Sequence, residues 1–339
     1  MPAQVARVDV GVITCSNAWM DATDLAQRFS IGGAARLSDG PVARGKQGVV
    51  WRLDTDMGRW ALKVPFGSPS EEQVASATAF HEAAHAAGIP TPRVLRTDDG
   101  AVFAPFNGGQ ARLYEWVDLL PPDRFLDPAQ VGAVVAAIHR VPTPDGALGA
   151  LDPFFCEPVG ADRWDHVLDQ LTTEGAPFAS RLAELRDELV ALESWIEPPR
   201  RLLTCHRDLW ADNVLGTADG GVCVIDWEES GPADPSQELG YVLFEFAGGD
   251  PGRARDLVTA YRDAGGPATV SRRGDFTMLI AQLGHIIELA AKDWLTPNLR
   301  SPQRADAVAW ISEALDDPHT REVLDSLLAA VDGSGDPGP

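Results

Sequence analysis

The stretch TCHRDLWADNVL, residues 204–215, sets a histidine, two aspartates and an asparagine between apolar runs, and VCVIDWEE, residues 222–229, follows almost at once. Water accepts polar side chains anywhere in a loop, so acids at these intervals need a further reason. Asp208 and Asn213 stand five residues apart. NVLGTADGGVCVIDW, residues 213–227, reads as a hairpin turning at ADGG, with β-branched runs on either side of the turn residues. A hairpin returns the chain, so its ends near Asn213 and Asp226 come side by side. Oxygen-bearing side chains converging in this way suit Mg2+, which takes one or two carboxylates and leaves its other positions to water and phosphate. Asp208 faces the same space without needing to bind the metal. Phosphoryl transfer calls for such a set: an Asn and an Asp for the metal, and a separate Asp to orient and accept the proton of an attacking hydroxyl.

HRDLWADN, residues 206–213, followed by IDWE, residues 225–228, resembles the catalytic and metal loops of the kinase-like fold. The likeness is closer to the aminoglycoside phosphotransferase and choline kinase branch, whose second motif reads I-D-[FW]-[EG]; Arg207 departs from the Gly usual there. The resemblance implies an α+β, two-lobed protein-kinase-like fold: a small antiparallel β-sheet N-lobe and a large, mainly helical C-lobe. It also implies ATP or GTP with Mg2+ as cofactors, Asp208 as the catalytic residue, and Asn213 and Asp226 as metal ligands. Lys63, in RWALKVPF, would pair with the nucleotide phosphates. Its expected partner is Glu72 on the following helix, with Glu71 and Glu82 as alternatives. Gly45 and Gly48, in ARGKQGVVW, would form a loose phosphate-covering loop, and backbone groups near Glu115 and Val117, in LYEWVD, would meet the base. His206 reads as a packing residue that fixes the loop. Asp234 caps a helix with Pro235 at its first position and Gln237 completing a box, and Glu238 stands where the family usually has Asp.

The rest of the chain fits this frame. VVWRLDTD and RWALKVPF, joined at DMG, alternate apolar residues at Trp60, Leu62 and Val64 and read as a hairpin. RVLRTDDGAVFAPF and ARLYEWVDL give three more strands, the first pair turning at DDG, so the expectation is five strands. One helix, residues 70–87, interrupts them and ends at Gly88 and Pro90. Beyond LLPPD the pattern turns helical. LDPAQVGAVVAAIHRV opens with Asp127 as N-cap and Pro128 at the first position. Further helices are expected at 161–173, 178–195, 235–247, 251–264, 275–295, 303–316 and 318–331. The domains so read are an N-terminal arm and leading segment (1–34), the arm being residues 1–19 ahead of a natural start at Met20, an N-lobe (35–118), a C-lobe (119–331) and a disordered tail (332–339).

The chain has 339 residues, 28 Lys and Arg against 50 Asp and Glu, and a formal charge of −22. Such a surface repels nucleic acid and anionic membranes and attracts cations. No run approaches the roughly 18 apolar residues of a membrane helix. The four cysteines, among them Cys156, show no metal or disulfide-framework spacing, which suits the cytoplasm. A monomer or weak homodimer is expected. The acceptor is expected to be a small cationic molecule, an aminoglycoside-type antibiotic first, with a metabolite such as choline, an amino sugar or a hydroxy amino acid as alternative, and a non-catalytic nucleotide-binding scaffold as the rival. Glu228, Glu229, His285 and Glu288 are its candidate contacts, together with Gln282; the ordinary reading of Glu288 is a solvated helix face.

Overall fold

The computed structural model describes residues 21–45, 48–67, 71–143, 149–296 and 301–332. The chain divides into two compact units. The described residues before Pro69 and Val94–Trp116 form one; Ser70–Arg93 and the described residues from Val117 onward form the other.

The first unit opens with a helix, α1 (Ala22–Arg28), capped by Asp21, whose side chain accepts from the Asp24 amide at 2.9 Å. The sequence reading left this part of residues 1–34 as a leading segment. It folds because Leu25, Ala26, Phe29 and Ile31 are buried together against the sheet residues Leu53, Leu62 and Leu113, and each such large apolar side chain contributes about 2 kcal/mol. The arm proposed for residues 1–19 lies outside the described residues.

The sheet has seven strands rather than five: β1 (Ala35–Leu37), β2 (Ala43–Arg44), β3 (Gly48–Thr55), β4 (Gly58–Pro65), β5 (Val94–Leu95), β6 (Ala104–Phe106) and β7 (Gly109–Glu115). The order is β1-β3-β4-β7-β5, with β2 also on β3 and β6 also on β7. The two unforeseen strands, β1 and β2, are too short to show a period of their own. β3 and β4 form the expected hairpin, Thr55 opposite Gly58. The DDG turn is present, closed by Thr97 N–H to Ala101 O at 2.9 Å, yet β5 and β6 each pair with β7 rather than with one another.

In the second unit the helix expected among the N-lobe strands, α2 (Glu71–Ala86), packs against the segment around Trp227. Phe80 and Ala84 are wholly buried in this unit's main core, beside Val131, Leu209, Trp227 and Leu239. α3 (Pro128–His139) follows, capped by Asp127 as expected. Then come α4 (Ala161–Thr173), α5 (Ala179–Glu193), β8 (Leu203–Cys205), β9 (Val214–Gly216), β10 (Val222–Val224) and β11 (Gly231–Ala233). The chain ends with α6 (Pro235–Ala247), α7 (Pro251–Asp263), α8 (Thr277–Leu295), α9 (Ser301–Asp316) and α10 (Arg321–Asp332). β9 and β10 are the hairpin turning at ADGG, and β8 pairs with β11, a ladder that three-residue strands did not announce. α6 is buried along its whole length. Asp234 caps it, accepting from Ser236 N at 2.9 Å, but Gln237 completes no box: its amide donates to Glu197 O at 3.1 Å. Among the described residues no helix is long and apolar enough to cross a membrane.

Candidate active site

The loop between β8 and β9 is fastened from within. His206 is wholly buried, and its ring spans the loop: Nδ1 accepts from Asp208 N–H at 3.3 Å and Nε2 donates to Ile225 O at 3.1 Å. That pair of bonds requires the neutral ring, and burial pushes its pKa down to about 4. The ring also rests against Trp227, centroids 4.7 Å apart, while Trp227 Nε1 donates to Thr91 Oγ1 at 2.9 Å.

Arg207 sits in left-handed backbone, φ 67°. That conformation explains a Gly preference at this position; an Arg there carries a cost of about 1 kcal/mol or more. Its side chain offers the return. The guanidinium is buried over the Phe155 ring at 4.3 Å, and Nε donates to Glu229 O at 2.5 Å. It fills space so closely that a methyl group on Gly231 would meet it at 2.7 Å. The Arg207 amide donates to Glu238, whose other oxygen lies 2.7 Å from His139 Nε2. Burial alone would raise the Glu238 carboxyl, but the hydrogen bond and charge of His139 leave it below its ordinary range. The family position occupied by Glu238 is therefore a brace beneath the loop.

Asp208 and Asn213 are brought together. Asn213 Nδ2 donates to Asp208 O at 2.8 Å and to Asp208 Oδ2 at 2.7 Å. Both amide hydrogens are thus committed to Asp208, and Oδ1 is the Asn213 atom suited to a cation. The Asn213 carbonyl accepts from Ile225 N at 2.9 Å, so the pairing of β9 and β10 runs one residue further, and Asp226 follows directly in the chain. Asp226 is half-buried in left-handed backbone, φ 60° and ψ 61°. Two hard oxygen donors on adjacent chain segments fit Mg2+ by donor chemistry.

In the other unit, Trp60 and Leu62 face the core, so Lys63 faces the opposite side of β4, half-buried. Directly across from it on β7 is Arg112, itself buried. The Arg112 guanidinium lies over the Phe103 and Tyr114 rings, at 5.4 and 5.5 Å, and it escaped sequence reasoning because strand register cannot be read from composition. Gly48 opens β3 so close to β4 that a methyl group would meet Val64 O at 2.5 Å, whereas Gly45 has open space around it. Gly45 N–H donates to Gly48 O at 3.0 Å; residues 46–47 lie outside the described residues. Glu115 ends β7, exposed. Val117 and Glu72 belong to the helical unit, Val117 half-buried and Glu72 exposed on α2. Glu82 is half-buried on the same helix, and the Glu71 side chain lies outside the described residues.

The acceptor candidates separate. Glu228 and Glu229 follow Asp226 in a short 3-10 turn, both half-buried. Glu288 is no solvated residue: it is 2% exposed and ion-paired with Arg163 and, at 2.8 Å, with Lys292. Burial would raise its carboxyl, but those two hydrogen bonds bring it below the ordinary value. His285 stacks on Phe154 at 5.5 Å and contacts Glu157 O at 3.1 Å, and Gln282 donates to Arg207 O at 3.4 Å. The polar stripe of α8 is therefore internal, because the residues around 153–163 cover it.

The model of a family described as the phosphotransferase enzyme family matches residues 41–274. No curated protein matches the chain. Solved structures do. A spectinomycin phosphotransferase in complex with ADP and spectinomycin is 16% identical, with a TM-score of 0.63 over 87% of this chain and 92% of that one. An aminoglycoside phosphotransferase from Alicyclobacillus acidocaldarius is 18% identical, with a TM-score of 0.59 over 87% and 94%. A choline/ethanolamine kinase family protein from Mesorhizobium loti is 22% identical, with a TM-score of 0.51 over 87% and 93%. Likeness at these identities speaks to the fold: kinase-like, with an antiparallel sheet in its N-terminal part and helices in its C-terminal part.

Proposed function

Because the chain belongs to the phosphotransferase enzyme family and is a small-molecule phosphotransferase, we propose that it moves the γ-phosphoryl group of ATP or GTP to a hydroxyl of a small cationic acceptor, in the first place an aminoglycoside-type antibiotic. The observation that carries the reading is the Asp208–Asn213 pair, joined at 2.7 Å beside the backbone bond that leads into Asp226. Asp208 orients the acceptor hydroxyl and takes its proton. Asn213 Oδ1 and Asp226 are the groups that would hold Mg2+, which when bound neutralises phosphate charge. Lys63, with Arg112 opposite it, supplies positive charge for phosphate, and Gly48 keeps its strand's backbone close to β4. Gly45 lies in the phosphate-covering loop, and backbone at Glu115 and Val117 meets the base. Glu72, with Glu71 and Glu82 as alternatives, is the acid proposed to pair with Lys63. Little covalent work is left to the protein beyond positioning and charge stabilisation.

Glu228 and Glu229 remain the acceptor candidates, while His285 belongs to the covered stripe of α8 and has a weaker claim. The charge of Glu288 is spent on Arg163 and Lys292, which weakens its claim on an amine. That neutralisation favours a second reading, a metabolite kinase acting on a hydroxylated compound with a single amine. The cytoplasm is the compartment that supplies nucleotide, and buried thiols at Cys205 and Cys223 suit it. A panel of aminoglycosides, other hydroxylated antibiotics, choline, amino sugars and hydroxy amino acids, scored by acceptor-dependent consumption of Mg-ATP or Mg-GTP, separates the readings. Stimulation by aminoglycosides supports the first and stimulation by choline or an amino sugar alone the second. Nucleotide binding with no acceptor-dependent turnover would leave a scaffold.

A further inference from the structure

Helix α6 presents two acids to the loop that carries Asp208. Glu238 and Glu245 lie seven residues apart, hence on one face two turns apart. Glu238 receives the Arg207 amide, and Glu245 Oε1 receives the Ala211 amide at 3.1 Å. Between them the Tyr241 ring meets Trp210 edge-on, centroids 4.4 Å apart. The two carboxylates thus grip residues 207 and 211, on either side of Asp208.

The second grip has consequences along the loop. The peptide that ends in Ala211 N–H begins with Trp210 O, which accepts from Asn213 N at 2.8 Å and from Val214 N at 3.0 Å. Asn213 in turn holds Asp208 through its side chain. Fixing the 210–211 peptide therefore holds the backbone of Asn213, whose side chain meets the Asp208 carboxylate.

Glu245 is an expensive way to achieve this if stability is the only object. It is 6% exposed, and burial raises its carboxyl, opposed by Arg124 and by the Ala211 amide. Glu313 and Asp212 add like charge. The cation that meets it is Arg124, Nε to Oε2 at 3.2 Å, and Arg124 is shared with Asp317 at 2.5 Å. A buried ion pair is commonly no more stabilising than an apolar side chain of similar size.

We propose that Glu245, supported by Arg124, is a positioning residue for the phosphoryl-transfer step, holding the 210–211 peptide so that Asn213 keeps Asp208 in its working rotamer. The proposal rests on the reading of Asp208 as the catalytic base. Glu245→Leu removes the acceptor, and Glu245→Gln keeps it while removing the charge. The test combines hydrogen exchange of the 206–215 segment, thermal unfolding, and steady-state turnover of Mg-ATP with water or the best acceptor of the panel. For Glu245→Leu we expect faster exchange in that segment, a melting temperature unchanged or higher, KM for nucleotide within about twofold and kcat lowered about tenfold or more, since small misplacements of reacting groups cost that much. Glu245→Gln should restore most of kcat and of the protection. Unchanged exchange and kcat in the Leu variant would overturn the proposal, as would a kcat loss that tracks melting temperature and is not restored by Gln. A wild-type protein without phosphotransfer would count against the function alone, because exchange still decides whether the grip exists.

Discussion

Arg207 shows what a single residue can hide. The motif announced the loop, and it announced that Arg stands where Gly is usual, but no pattern in the sequence says that the position is left-handed or that the guanidinium is buried over Phe155. Both are tertiary facts, since Phe155 lies more than fifty residues away in the chain. Arg207→Gly relieves about 1 kcal/mol of backbone strain. It also removes a desolvated cation–π contact and a charged hydrogen bond, together worth about 3 kcal/mol. The expected balance in denaturant unfolding is a loss of about 2 kcal/mol; a gain in stability would show that the buried arginine contributes nothing. The meeting of Asp208 with Asn213, and the hairpin that leads to Asp226, were legible because their spacing is local to one loop and one turn. The neighbours of Arg112, Arg163 and Glu245 were not, because each is met on a strand or helix whose register or packing the sequence does not state.

At the scale of elements, helix α6 is the support on which the loop rests, and its own seat is tight. A methyl group on Gly240 would meet Asp275 O at 2.3 Å, backbone that cannot swing aside as a side chain can. Helix propensity alone makes Gly→Ala favourable by about 1 kcal/mol. Overpacking against a carbonyl costs about 1–3 kcal/mol, so Gly240→Ala is expected to destabilise and, by shifting α6, to lower kcat as well. Increased stability in a calorimetric scan would contradict the packing argument. Elements with a side-chain cap or a strong one-faced period were legible nearly to the residue: 161–173, read from its period, and 235–247, read from its Asp-Pro start, coincide with α4 and α6. α1 was missed because seven residues make a weak pattern, and β1, β2, β8 and β11 because two or three residues make none. α2 was found, but its membership of the helical unit was not, since an Ala-rich helix does not declare which core it will join.

For the molecule as a whole, two buried histidines tie folding to pH. His206 and His319 are both pushed by burial to about 4, below the value of about 6.5 in an unfolded chain. The unfolded state therefore binds protons first as pH falls. Stability is complete above about pH 6.5 and is lost on the way down to pH 4, by roughly 3 kcal/mol for each ring. His319→Gln, outside the candidate site, should flatten that slope by about one proton's worth relative to wild type; parallel curves for the two proteins would contradict it. The net charge of −22 was legible at once, but composition did not tell which acids are compensated: Glu288, paired with two cations, contributes no open negative site. The most direct test of the whole account is transfer of labelled γ-phosphate from Mg-ATP or Mg-GTP to the best acceptor by wild type and by Asp208→Asn, with nucleotide affinity measured alongside. Transfer by wild type, a fall of at least about a hundredfold in the variant and matching nucleotide affinities are the predicted result. Equal transfer by both proteins would contradict the role given to Asp208, and failure of the wild type to bind nucleotide would contradict the kinase reading itself.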